Sequence, residues 1–432
     1  MRNGKKIGLS LSGGGYRATI YHLGTLKKLK ELGILKDIDV ISTNSGGSIT
    51  GATYGLYGED FNKFEEIIRK GVKSSVLKGI LTSWRFILVI LVTVIWFITV
   101  LYLLTTDYVW TSFFIFILLI LLFLFFQFQL LPISKLNERM YNKFFFNWKN
   151  LSDLTGNLKL AINSTNLETG RLFTFSKDKM GDSFYDYPKE GNAIKFKSDS
   201  FPIARAVAAS TCVPFAFTPV RISKEFYVDQ EDISRAKPRL IDGGVYDNQG
   251  AHKITQINSS YSSEVVIVSD AGNAIPFKHT YRNTLTMLIR TSDIFMSRIK
   301  NLQMIQYLYQ NHKIDKREIA YQSLGWDLDN SIKQFTDGLK KGIIMEHVRK
   351  SHNIEDDDIA NKNWDKIEAQ LKKSINYDSI TKEANTKEEL QLARKVKTGL
   401  SPLKDLQIKA LINHAYIMTE IQVRLYCPTL FT

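Results

Sequence analysis

The sequence predicts an α/β fold: a parallel sheet flanked by helices, interrupted by an apolar helical hairpin and followed by a helical C-terminal region. Three observations carry this. Residues 6–12, 17–32, 39–43 and 46–56 read strand, helix, strand, helix, the alternation that builds a parallel sheet. Between Arg85 and Lys135 the single charged residue is Asp107. From about residue 280 the chain is richly charged with helical periodicity.

Composition sets the outer limits. Of 432 residues, 44% are apolar and only 9 are proline, which excludes a disordered or collagen-like chain. Cys212 and Cys427 are the 2 cysteines, too few for a disulfide framework or a zinc site. Cys212 lies in an apolar run and reads as a small buried hydrophobe, and the compartment as reducing. Residues 1–6 are polar and basic, but no long apolar run follows them, so no secretory signal peptide is expected. The net charge is +14. It suits an anionic inner leaflet better than nucleic acid, because nothing resembles a nucleic-acid module.

The apolar stretch divides into residues 86–104 and 108–126, separated by Thr105, Thr106 and Asp107. At ~1.5 Å per residue each half is about 28 Å long, the thickness of a bilayer core. So short a connection makes the two helices antiparallel. Trp84 marks the near end, and Tyr102, Tyr108 and Trp110 the turn, where aromatic belts lie. Arg69, Lys70, Lys73, Lys78 and Arg85 precede the pair; Lys135, Arg139, Lys143 and Lys149 follow it. The positive-inside rule then puts both flanks in the cytoplasm, giving a two-span membrane protein with its globular part inside. The alternative is a helix pair buried in a soluble core. Residues 59–81 are amphipathic and basic, fitting either a membrane-surface helix or a plain surface helix.

Beyond the hairpin, residues 133–148 read as helix, 158–164 and 171–176 as strands, and 201–209 as a short helix. Residues 239–242 lead into a glycine turn, and 265–270 form a fully buried strand. The acidic run 355–358 reads as a solvated helix start, not a metal site. The expected units are 1–83 and 132–280 as two parts of one domain, 84–131 as the inserted hairpin, and 281–432 as a helical region of unassigned role.

Three motifs carry chemistry. Ser12-Gly13-Gly14-Gly15-Tyr16-Arg17 is a glycine turn between a strand and a helix, presenting backbone N–H groups and a helix N-terminus to negative charge. Gly13, Gly15 and Ala18 also match a dinucleotide fingerprint. That reading wants an acid at the far end of the second strand, whereas Asp37 and Asp39 stand at its beginning. Thr43-Asn44-Ser45-Gly46-Gly47-Ser48 puts a serine between a strand and a glycine-rich helix start, as in a nucleophile elbow; Ser45 could equally be an N-cap. In Asp242-Gly243-Gly244-Val245-Tyr246-Asp247-Asn248 an aspartate ends a strand ahead of glycines.

In this order, with STNLETG at 164–170 and AASTCVPFAF at 208–217, the motifs resemble the patatin-like phospholipase family over roughly residues 5–275, interrupted by the hairpin. The resemblance implies a three-layer α/β/α sandwich and a Ser–Asp dyad working without histidine. Carried over, Ser45 is the nucleophile, Asp242 the base, and the loop Gly13, Gly14, Gly15 the oxyanion hole with Arg17 beside it. Gly47, Gly243 and Gly244 complete the motifs. Thr43 stands where the elbow pattern has its first glycine, and Ala18 at the last position of the glycine motif. A threonine at 43 is expected to strain the elbow.

The implied activity is a membrane-anchored serine acylhydrolase acting on phospholipid, with neither metal nor cofactor and no nucleic-acid partner. Protein partners are left open. Two rivals remain at this stage. One is a Ser–His–Asp hydrolase using His252 or His279; the other is an inactive membrane-anchored scaffold, which rests on Thr43 alone.

Overall fold

The computed structural model describes residues 2–273, 283–311 and 316–431. Among the described residues nine strands form one mixed sheet: β1 (Ile7–Leu11), β2 (Val40–Asn44), β3 (Lys159–Asn166), β4 (Arg171–Phe175), β5 (Met180–Gly181), β6 (Val220–Arg221), β7 (Arg239–Asp242), β8 (Val265–Asp270) and β9 (Glu318–Ser323). The order β5-β4-β3-β2-β1-β8-β9 is parallel from β3 to β9; β4 and β5 run antiparallel, and β7 joins β3 antiparallel with β6 on its far side.

The strands alternate between two cores. Ile41, Val265, Ile267 and Ala320 face one apolar cluster. Val40, Val266, Val268 and Ile319 face another. A sheet buried on both faces needs helices on both, which gives the expected three layers. The larger core is closed by α1 (Gly15–Glu31), α2 (Gly46–Tyr57), α3 (Phe61–Val72), α4 (Val76–Leu81) and α7 (Ile133–Tyr141), with α8 (Ile203–Ser210).

Residues 59–81 therefore resolve into α3 and α4. Phe61, Phe64, Ile68 and Val72 turn into the core, so this segment is a surface helix of the globular part.

The hairpin is α5 (Trp84–Leu103) and α6 (Val109–Leu130), which pack together and project from the sandwich. Both are long and apolar enough to cross a membrane. Their apolar side chains face outward, with Ile98 58% and Phe114 66% exposed, so the buried-core alternative does not hold.

The C-terminal region holds more than helices. β9 extends the sheet beside β8, and α10 (Asp405–Tyr426) lies along α1. The approach is close: a Cβ at Gly24 would lie 2.3 Å from the Ile412 carbonyl oxygen. Buried Lys28 pairs with Glu420 across that interface at 2.7 Å. One further helix of this region, α9 (Thr284–Met304), lies across the carboxyl ends of β7 and β8.

Candidate active site

The carboxyl ends of parallel strands are where an α/β sheet presents a site. Ser45 follows β2 there and opens α2. Its backbone stands at φ 48°, ψ −119°, a strained conformation for a residue with a side chain. The strain is held by packing on glycines. A Cβ at Gly46 would meet the Gly15 carbonyl oxygen at 2.1 Å, and one at Gly47 the Leu11 carbonyl oxygen at 2.3 Å. The elbow thus seats directly on the glycine loop after β1.

Thr43 does not disturb this turn. Its hydroxyl accepts from Ser48 Oγ at 2.9 Å and donates to the Ala161 carbonyl at 3.2 Å. Its methyl group occupies the space a side chain at residue 51 would need, since a Cβ on Gly51 would lie 2.5 Å away. The expected clash is relieved by a glycine on the next turn but one.

Asp242 ends β7 and faces Ser45. Register places it opposite Ser164, and Thr165 Oγ1 donates to its carbonyl at 2.9 Å. Its amide donates to the Cys212 carbonyl at 2.8 Å, and the Gly243 amide to the Ser210 carbonyl at 3.2 Å. Those bonds give the 164–170 and 208–217 motifs their physical role: they clamp the aspartate strand from two sides. Gly243 and Gly244 allow the close approach, since Cβ atoms there would lie 2.3 Å from Asn44 Oδ1 and 2.6 Å from Asn248 Oδ1.

Ser45 is 7% and Asp242 4% exposed. Burial pushes the Asp242 carboxyl up to about 6, against the opposing pull of the Gly244 amide, at 2.7 Å, and the Ser45 hydroxyl that donates to it. A carboxylate so raised is a better base than a solvated one near neutral pH.

The glycine loop divides its labour differently from expectation. The Gly13 amide donates to the Asn248 carbonyl at 2.9 Å, so it is not available to an oxyanion. Gly13 instead permits contact, as a Cβ there would sit 3.2 Å from Ser45 Cβ. The Gly14 and Gly15 amides, at the open end of α1, have no hydrogen-bond partner among the described residues. Arg17 is buried and its Nη1 donates to the Val396 carbonyl at 3.1 Å, tying α1 to the C-terminal region. Desolvation lowers its pKa, partly offset by the charge of Asp270. Tyr16 N–H donates to the Gly399 carbonyl at 2.9 Å.

Two further residues support the site, Ser210 from the 208–217 motif and His22, which no motif marks. Ser210 Oγ accepts from the Ser45 amide at 2.9 Å and bonds Ser48 Oγ at 2.8 Å, locking the elbow from α8. His22 is fully buried beneath the glycine loop, between the Ser12 carbonyl at 2.9 Å and Ser269 Oγ at 2.8 Å. Burial lowers its pKa to about 4, so it stays neutral there.

His252 is half-buried, with its amide on Asp247 Oδ2 at 2.8 Å and its ring against Tyr246. Among the described residues His252 bonds neither Ser45 nor Asp242; His279 lies outside the described residues. His252→Gln is therefore expected to keep kcat/KM within about threefold of wild type. A loss near ~10⁴-fold, the scale of a triad member, would return the assignment to a Ser–His–Asp site. Among the described residues no cluster of His, Cys, Asp and Glu is suited to a metal.

Comparison with known proteins agrees with this architecture. The family model described as patatin-like phospholipase matches residues 9–253. Curated protein sequences give no significant match. Among solved structures, VipD from Legionella pneumophila aligns over 97% of this chain and 92% of its own at 13% identity. Its TM-score of 0.34 marks a superposition too loose to carry structural detail.

Proposed function

Because the chain belongs to the patatin-like phospholipase family and is a lipid acyl hydrolase, we propose that it cleaves membrane phospholipid through a Ser45–Asp242 dyad while anchored by the α5–α6 hairpin. The observation that carries the reading is Ser45, its backbone strained, with its hydroxyl set on a buried carboxylate raised to about 6 and alongside amides that have no partner among the described residues.

Asp242 accepts the Ser45 proton as the serine oxygen attacks the ester carbonyl. The Gly14 and Gly15 amides hold the resulting oxyanion, worth about 3 kcal/mol per donor in comparable sites. Asp242 returns the proton to the leaving lysolipid alcohol, and an acyl-Ser45 ester remains. Water, deprotonated by Asp242, then attacks that ester; the C–O bond to Ser45 breaks as Asp242 returns the proton to the serine oxygen, and the fatty acid is released. The basic flanks on both sides of the hairpin support a catalytic part at the cytoplasmic leaflet. The rival of an inactive scaffold loses its support, because Thr43 fits the turn.

A fluorophosphonate probe tests the dyad. Labelling is expected at Ser45 alone and is lost in Ser45→Ala. The base must be ionised to act, so the rate should climb with pH through about 6 and level off above it. A rate flat between pH 5 and 8, or label in Ser45→Ala, overturns the assignment.

A further inference from the structure

An ordinary surface helix turns its apolar side inward. Helix α9 does the reverse. It has no buried residue, and Met287, Leu288, Ile294, Phe295 and Leu302 are between 45% and 64% exposed. At 100° per residue these positions share one face, with Arg298 among them, while Leu285 and Ile289, 57% and 43% exposed, lie on the opposite side in the first turns. The inward stripe is instead Ser292, Met296, Ile299, Lys300 and Gln303, none of them fully buried.

That stripe lies over the candidate site. Met296 Cε would be 3.1 Å from a Cβ on Gly244, the residue whose amide holds Asp242. Lys300 Nζ reaches the fully buried Asp270 carboxylate at the end of β8 at 2.5 Å. On the other side of Asp242, after Cys212, Val213 and Phe215 are 43% and 59% exposed. The same segment is bonded to the base of the hairpin: Thr218 Oγ1 donates to the Leu131 carbonyl at 3.1 Å and accepts from the Ile133 amide at 3.2 Å. The hairpin base, the Val213–Phe215 loop and α9 therefore border the dyad in sequence.

We propose that the outward face of α9, with Val213 and Phe215, docks into the lipid leaflet that the hairpin enters, so that α9 is the interfacial cover through which phospholipid reaches Ser45. This rests on the membrane-anchored reading above. The occupant is lipid because the Val213–Phe215 loop, bonded through Thr218 to the hairpin base, borders the same aspartate turn as α9, and the outward face carries Arg298, a charge that suits anionic headgroups. Removing apolar anchors weakens the contact while leaving the dyad untouched.

The test uses the full chain reconstituted in vesicles of phosphatidylcholine and phosphatidylglycerol. An environment-sensitive dye is placed at Phe295→Cys, and in a second protein at Ile98→Cys within α5; both native cysteines are buried. The dye at 295 should be quenched by spin labels in the lipid acyl chains and not by aqueous iodide. Quenching by iodide would mean a face in water, and quenching by neither a face covered by protein, such as a second copy; each overturns the proposal. The dye at 98 separates the two readings. If it too escapes the lipid quencher, the anchored reading has failed; if it alone is quenched, only the α9 proposal has. In parallel, Phe295→Ser/Leu302→Ser should lose about tenfold or more on vesicle phospholipid and stay within about twofold on a soluble short-chain ester. Unchanged vesicle hydrolysis would also overturn it.

Discussion

Ser45→Ala and Asp242→Asn should each abolish ester hydrolysis, by roughly 10⁴-fold or more, and the double variant should be no worse than either. Nucleophile and base act as one unit, so removing either stops the same step. The Asp242 variant has a second signature, in stability. Its carboxyl titrates at about 6 in the folded protein against an ordinary 3.8, because burial disfavours the charge. A folded pKa above the unfolded one contributes stability that is complete at low pH and is lost as pH rises through the folded value. By pH 7.5 the ionised carboxylate costs about 3 kcal/mol, a conflict that asparagine removes. Thermal melts of Asp242→Asn should match wild type near pH 4 and exceed it by a few degrees at pH 7.5. The outcome that sinks the dyad is a well-folded variant of either residue retaining more than a few per cent of activity. A melting gap that narrows as pH rises would refute the buried-base assignment alone.

Excising residues 86–126 and joining the flanks with a short Gly/Ser linker should give a more soluble enzyme. It should cleave a soluble short-chain ester normally and lose most of its action on vesicle phospholipid, by about a hundredfold. The motive is the projection of α5 and α6 from the sandwich with apolar surfaces outward. The excision spares Leu131 and Ile133, so the bonds to Thr218 that brace the loop beside Asp242 survive. Burying two helices of ~19 apolar residues anchors the catalytic part far more strongly than any interfacial contact. Full vesicle activity in the excised protein would remove the hairpin from substrate delivery. Topology is read separately: a cysteine at Thr106 should react in intact cells with a membrane-impermeant thiol reagent. Labelling only after lysis would make the hairpin re-entrant or misoriented.

The order of elements was legible because it is local. The short strands 7–11, 40–44 and 265–270 and the helix ending before Gly33 fall within a residue or two of expectation, as each pattern is complete in one stretch of chain. The hairpin was plainer still, since ~20 uncharged apolar residues have few other uses. Ser45 and Asp242 stood out as motif residues, and the fold brings them together from opposite ends of the domain.

What the sequence alone left undecided depends on partners hundreds of residues away. β9 reads as polar, with Glu318 and Gln322 in a buried strand. Its polarity is satisfied from afar: Glu318 by Lys5 at 3.0 Å and Thr429 at 2.7 Å, Gln322 by Thr25 and Thr419, both at 2.8 Å. No periodicity within six residues can encode that. Thr43 looked strained until Gly51 supplied room for its methyl group. Gly13 looked like an oxyanion donor until Asn248 took its amide, and one Arg17 nitrogen, Nη1, is bound to Val396. The sequence shows only helical periodicity in the region of α9; the way the helix faces is decided by the grip of Lys300 on Asp270 and of Met296 on the turn after β7. Periodicity is a property of one segment; satisfaction of buried polar groups and the orientation of a face are properties of the packed whole.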